Sequence, residues 1–318
     1  MKRLLKNESG ASAIIVALVM TLILTASALA LDIGAAYVEA SNTQNAADAI
    51  ALSVGRYLPV DENDSLKINI VLNAASEYAQ KNEVENFYPE NVIFGDVKDG
   101  KFTSVTISVS KTSETRLAKI IGVDNIEILK SATVSARPVG SITGAVPLGI
   151  TEEAYNNVIS TGEDHVIIKV GGGDGDTGFY GFVVLDDSNG NAALLEKWLK
   201  YGYEGENYVG QSLPVATGNK TSAARDAVEY RLSLCNHYVG YGGCIIDHYV
   251  EDCPRVMYIL IYSFTDSRTV QIVGFAPFLL EGSPSDDEIQ GSFIYTNISY
   301  TDRISEKDFG IYTYRLTK

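Results

Sequence analysis

Three cysteines and two of the three histidines share one stretch of the chain, Cys235, His237, Cys244, His248 and Cys253, with the spacing C-x8-C-x8-C. Thiolate and imidazole are donors that zinc prefers, so a structural zinc site is chemically allowed, but the spacing lacks the short C-x2–4-C knuckles of such sites. In an exported chain, where disulfides persist, a disulfide among Cys235, Cys244 and Cys253 is the plainer reading, and it leaves one thiol over. Upstream, Gly171-Gly172-Gly173-Asp174-Gly175-Asp176-Thr177-Gly178 brings two carboxylates together on flexible backbone, the hard oxygen donors that Ca²⁺ takes. The bidentate Glu that completes an EF-hand is missing, so a strand-connecting turn is expected there, with Asp174 and Asp176 as the calcium candidates. The loop also lacks the Lys-Ser/Thr of a phosphate-binding loop. No metal and no cofactor is expected.

The inventory for catalysis is poor. His165, His237 and His248 complete no H-E-x-x-H, and no serine sits in a G-x-S-x-G elbow. Cys235 and His237 point apart on a helix and share a face only on a strand, so spacing alone argues no nucleophile–base pair. The chain is expected not to be an enzyme.

The elements that would position these residues begin with an apolar run. Ala11 to Leu31 contains no ionisable side chain, Pro or Gly, and as a helix it spans about 30 Å, the thickness of a bilayer core. Lys2, Arg3 and Lys6 outweigh Glu8 before it, while the rest of the chain is acidic; the formal net charge is −15. That charge would repel a phosphate backbone, so no nucleic acid is expected as a partner. Ala28-Leu29-Ala30 would suit a signal-peptidase site, yet the run is longer than a usual signal core and continues as helix-favouring sequence up to Pro59, so a retained anchor is favoured. Processing after Gly10 in the manner of a prepilin would call for an acidic residue at position 15, which is Ile15. By the positive-inside rule the basic tip stays cytoplasmic and everything past Asp32 faces outward.

Beyond the span, Ala-rich sequence extends the helix, with Val38, Ala46, Ala49 and Leu52 as a weakly apolar face suited to close helix packing. A second helix is expected over Leu66–Glu83, capped by Asp64 or Ser65 and apolar at Ile70, Ala74 and Tyr78. Strands follow at 92–94, 102–110 and 126–134, with a hairpin turn at Asp99-Gly100 and a short helix at 114–121 closed by Gly122. Pro, Gly and Ser around Arg137–Gly149 mark a linker or boundary. A larger module then carries strands at 166–170, 178–185, 256–264, 269–278 and 289–300, and helices near 192–200 and 222–234. The fold class is thus α+β: a basic tip (1–10), a single transmembrane helix (11–31), its extension plus a small α+β module (32–140), and a β-rich exported module (141–318).

Glu8, Gly10 and Ala11 before the span, Leu31, Asp32, Gly34 and Tyr37 at its end, and Gln44, Asn45, Ala46, Ala47, Asp48, Ala49, Ala51 and Leu52 beyond it form a pattern. It resembles the N-terminal segment of TadG-like proteins of the tight-adherence (Flp) pilus assembly systems. Val146-Pro147-Leu148-Gly149-Ile150 and Cys253-Pro254-Arg255-Val256 are similar to the exported region of such proteins, less specifically. The resemblance implies a membrane-anchored structural or assembly component whose partners are the membrane and pilus-assembly proteins or pilin-like subunits; a homo-oligomer is compatible with it. It implies helix packing through Asp32, Tyr37, Gln44, Asn45, Ala46, Asp48 and Ala49, although solvation at the membrane edge would equally explain Asp32 and Asp48. It also favours Cys244–Cys253 as the disulfide, leaving Cys235 odd. Some TadG-like proteins carry a von Willebrand A domain, but Asp186-Asp187-Ser188-Asn189-Gly190 matches its D-x-S-x-S motif only in part, so a turn is expected there. The alternative function is a cell-surface adhesion module for glycan or protein, assisted by calcium.

Overall fold

The computed structural model describes residues 8–163, 165–170, 182–216, 220–283, 285, 287–298, 301 and 303–317. The fold is α+β, with a long N-terminal helix and a β-rich C-terminal part, and the chain forms two compact units. The first reaches to Ala136 and includes the C-terminal residues from Arg315; the second runs from Arg137 to Tyr314.

In the first unit, α1 (Glu8–Gly55) is one uninterrupted helix. Its apolar part is exposed all round, with Ile14 65% and Leu22 72% exposed, whereas from Asp32 onward one stripe is buried: Asp32, Thr43, Ala46, Ala47, Ile50, Ala51 and Val54. The 3–4 spacing of that stripe is the helical period of a face laid on a core. The expected face was partly different, for Val38 and Leu52 are exposed, Ala46 is buried and Ala49 half-buried. Alanines on most sides leave the sequence period weak, so the bulk of Ile50 and Val54 decides which side turns inward.

β1 (Val60–Asp61) leads to α2 (Ser65–Lys81), which Asp64 caps by accepting a hydrogen bond from the Lys67 N–H at 3.0 Å. Its buried stripe is Val71, Ala75 and Ala79, one position on from the expected Ile70, Ala74 and Tyr78, of which Ile70 and Tyr78 are exposed. Both stripes repeat every four residues. The small side chains of the observed one let α2 approach α1, against which it packs.

β2 (Val92–Lys98) and β3 (Lys101–Glu114) form the expected hairpin, with Asp99 and Gly100 at φ 50° and 73°, as a two-residue primed turn requires. Val105, Ile107 and Val109 face inward as their alternation indicates, and α1 lies across β3. β4 (Asn125–Pro138) pairs antiparallel with β3 from Ser104↔Ser135 to Glu114↔Asn125. That pairing extends β3 to Glu114 and shortens the expected helix to a 3-10 turn, Ala118–Ile121, ended by Gly122 at φ 86°.

The second unit begins at Arg137, where a linker or boundary was expected, but the stretch is no linker: β5 (Ser141–Thr143) and β6 (Ala145–Thr151) follow, and residues 145–150 are all buried because β6 runs parallel beside a central strand. α3 (Glu152–Thr161), unanticipated, starts at Thr151, whose hydroxyl accepts from the Ala154 N–H. Then come β7 (Val166–Lys169), α4 (Ala192–Tyr201), β8 (Glu206–Tyr208), β9 (Ser212–Pro214) and α5 (Thr221–Leu234). The sheet is built on β10 (Val256–Asp266) and β11 (Thr269–Gly282), in the order β6-β10-β11-β12-β7, where β12 is Glu288–Phe293 and β9 adds to the far end of β11. β13 (Thr296–Ile298) and β14 (Ile311–Thr317) pair in parallel.

Two expected strands change. Of 178–185, residues 178–181 lie outside the described ones and Phe182–Leu185 hold only an isolated bridge, Val183↔Val215. Of 289–300, Ser299 and Tyr300 lie outside, and the rest splits at Ile294-Tyr295 into β12 and β13 because β12 follows β11 while β13 turns to β14. α4 and α5 pack on each other and on the sheet, closing a core around Leu148, Leu195, Trp198, Val228, Leu260 and Phe275.

Candidate functional site

Two places concentrate side chains whose chemistry the fold arranges. The first is where α1 leaves its exposed apolar part. Asp32, 6% exposed, accepts hydrogen bonds from three successive backbone N–H groups, Arg116 at 3.0 Å, Leu117 at 2.9 Å and Ala118 at 2.6 Å, at the start of the 3-10 turn. The Ala118 N–H foremost, with that of Arg116, holds its carboxyl below the usual aspartate range, outweighing the opposing effect of burial. A carboxylate placed on the free N–H groups that open a turn makes a fixed joint between the helix and its module. Three turns on, Gln44 donates to Asp48 Oδ1 at 2.8 Å and to the Ser131 carbonyl of β4 at 3.2 Å, tying the same helix to the same sheet.

The other residues expected to pack on partners divide accordingly. Ala46 is buried in its own unit and Ala49 half-buried, while Tyr37, 77% exposed, and Asn45 face outward.

The second place is the cysteine stretch. Cys235 caps the C-terminus of α5, Cys244 follows a tight double-glycine turn, and Cys253 precedes β10. One donor atom each from Cys235, His237, Cys244 and Cys253 lies within 4.8 Å of all the others. α5 ends at Leu234, as expected, so Cys235 and His237 lie on neither a helix nor a strand and their donor atoms can converge. All three cysteines are free thiols, and the Cys253 and Cys235 sulfurs are 3.5 Å apart, beyond bonding distance. Burial pushes the Cys235 thiol up, but hydrogen bonds from the Cys244 and His237 backbone and from the neighbouring thiols prevail and bring it down to about 6. Burial, with the Cys235 and Cys244 thiols, pushes Cys253 up to about 12 against the opposing hydrogen bond from the Arg255 backbone.

A buried arginine holds this geometry. Arg255 donates to the Cys244 carbonyl at 3.0 Å and the Gly242 carbonyl at 2.9 Å, strapping the turn to β10. Gly243, at φ 98°, lies so close under that guanidinium that a Cβ would collide with it. Glu281 adds a brace, accepting from the Ile246 N–H, the Ser292 hydroxyl and His165, the last at 2.6 Å. Sequence reading missed Arg255, Gly243 and Glu281; the Gly242-Gly243 pair before Cys244 and the arginine two residues after Cys253 were the available signals. His248 stands outside the four-donor group, its ring edge-on to Tyr238 and Tyr241 at centroid distances of 4.7 and 5.6 Å.

The calcium candidates Asp174 and Asp176 lie outside the described residues. Asp186 accepts from the Ser188 N–H at 2.8 Å, the hydrogen bond of an Asx turn. An open cleft of about 560 Å³ lies in the second unit between α3 and the end of β10, lined by Glu153, Asn156, Asn157, Tyr262 and Phe264 among others.

Residues 10–56 match the Flp pilus-assembly TadE/G-like family, Tad, as the resemblance at the helix implied. The matched segment is α1 almost end to end, so this chain carries a TadE/G-like element and is related through it to pilus-assembly components. No curated protein and no solved structure matches the chain. The helix matched is also the one long and apolar enough among the described residues to cross a membrane.

Proposed function

We propose that this protein is a membrane-anchored, exported structural component of a tight-adherence (Flp) pilus assembly system, acting by helix packing and protein–protein contact rather than by catalysis. The supporting observation is the change of character along α1: apolar and exposed on every side up to Leu31, then clamped through Asp32 and buried along one stripe. Such a helix rises from the bilayer directly into a folded module, so the module's orientation follows the anchor. The basic tip stays in the cytoplasm and both units face outward, where disulfide or thiol chemistry at the cysteines meets the exterior. Because Ala46 is occupied within its own unit, partners meet the opposite side of the helix, at Tyr37, Val38, Asn45 and Leu52, all exposed.

Site-specific crosslinkers placed at Val38 or Leu52 in the full chain in cells should capture pilus-assembly proteins or pilin-like subunits. Tyr37→Glu with Asn45→Glu should abolish capture and pilus assembly while the protein stays folded and membrane-bound. Normal assembly in that double variant would refute the packing role.

The cleft beside α3 favours a second reading, an adhesion module for glycan or protein, since Asn156, Asn157 and Glu153 beside Phe264 combine hydrogen-bonding groups with an apolar ring. Adhesion of cells that depends on Asn156 and Asn157 but survives loss of the pilus machinery would select it.

A further inference from the structure

We propose that Cys235, His237, Cys244 and Cys253 form a structural Zn²⁺ site. The inference is independent of the pilus reading. Four donors of the types zinc prefers lie within 4.8 Å of one another, and two of the sulfurs are already 3.5 Å apart. Around a tetrahedral zinc with Zn–S of about 2.3 Å, ligand sulfurs sit about 3.8 Å apart, so the cluster reaches ligand geometry by contracting its longest separation by roughly 1 Å. Gly240, Gly242 and Gly243 lie in the loop that would make this adjustment.

A disulfide accounts for the group less completely. It uses two sulfurs and leaves the third thiol beside a half-buried imidazole, whereas one tetrahedral cation engages all four. The Nδ1 of His237 is buried with no hydrogen-bond partner, and ligation through that nitrogen would satisfy it. Cys244 is fully buried and Cys253 3% exposed, with Cys235 and His237 half-buried at the outer side, and four protein donors fill the tetrahedral shell of a structural site with no position left open. Arg255, through the Cys244 and Gly242 carbonyls, holds the ligand-bearing turn from outside the ligand set, the part that outer-shell groups play at metal sites. The spacing C-x-H-x6-C-x8-C escapes the familiar sequence patterns because the ligands are gathered by three separate features: the end of α5, the double-glycine turn and the approach to β10. Zinc here would pin α5 to the sheet. Binding forms three Zn–S bonds and one Zn–N bond, and the protons still held by the thiols pass to solvent.

The test uses the full chain in detergent micelles, purified under reducing conditions and loaded with Zn²⁺ alone. Elemental analysis after removal of free metal should find about one zinc per chain. Co²⁺ in its place should give the intense visible bands of a tetrahedral site together with thiolate-to-metal charge transfer in the near ultraviolet. His237→Ala should lower metal retention against a chelator by at least about tenfold, and His248→Ala should leave it unchanged. Cys253→Ser serves as a second ligand variant, and the cobalt spectrum of the unaltered protein decides the matter should that variant fail to fold. Failure to retain zinc or cobalt overturns the proposal, as does loss of metal on substitution of His248 but not His237. Protein isolated without reductant that shows one reactive thiol instead of three, and regains no metal site on reduction, assigns the cysteines to a disulfide.

Discussion

Asp32 is the residue at which the exposed apolar part of α1 gives way to the part packed on its module. Three N–H groups converge on its carboxylate and hold it below the usual aspartate range, the Ala118 N–H contributing most. A carboxyl depressed in the folded state stabilises the fold fully above the unfolded value of about 3.9, and the contribution is lost as pH falls through the lower folded value. Asp32→Asn should therefore be less stable than the parent at about pH 7, and the gap between the two should narrow as the pH is taken below about 4. Thermal unfolding of both proteins across that range measures the gap; a gap that stays constant on acidification would contradict the clamp. The sequence marks Asp32 as a polar residue at the end of an apolar run, which solvation at the membrane edge would also explain. Its true partners are 84 to 86 residues away, and no local pattern connects them.

At the scale of elements, the existence of helices and strands was more legible than their facing. The Asp99-Gly100 hairpin, the alternation in β3 and the Asp64 cap of α2 are local chemistry, and they form as their residues dictate. The inward faces of α1 and α2 are settled by neighbours instead, since small residues on several sides make adjacent stripes nearly equal in apolar content. A pair of substitutions separates the two faces of α1. Ile50→Ala, at a fully buried position, should cost about 3 kcal/mol in denaturant unfolding in micelles. Val38→Ala, 59% exposed, should change stability by less than about 0.5 kcal/mol. Comparable losses at both positions would mean that the buried stripe is misassigned. The stretch around Arg137–Gly149 carries the same lesson in a strand: its Pro and Gly resemble a linker, yet β6 is buried because β10 offers it an unpaired edge, and Gly149 lets the two backbones close together.

At the scale of the whole molecule, the net charge of −15 and the one helix among the described residues that is long and apolar enough to cross a membrane underlie the proposed anchored protein with its acidic bulk on one side of the membrane. An arginine at the middle of the span should oppose insertion by about 3 kcal/mol. Leu22→Arg should accordingly move a large fraction of the chain out of the carbonate-resistant membrane pool; an unchanged distribution would mean that residues 12–31 do not span.

What the sequence by itself determined is whatever short-range physics decides: a continuous helix from an unbroken run of apolar and Ala-rich residues, a membrane-length segment within it, its TadE/G-like pattern, and turns set by Asp-Gly and by capping side chains. Tertiary structure alone decided which faces are buried, that a Pro- and Gly-containing segment is a core strand, and that three cysteines and a histidine spread over 19 residues share one small volume. The physical reason is the range of the forces involved. Backbone preference and hydrophobic period act between residues a few positions apart, while the convergence of Cys235, His237, Cys244 and Cys253 depends on a helix ending, a turn held by Arg255, and a strand that joins them only after the sheet has formed.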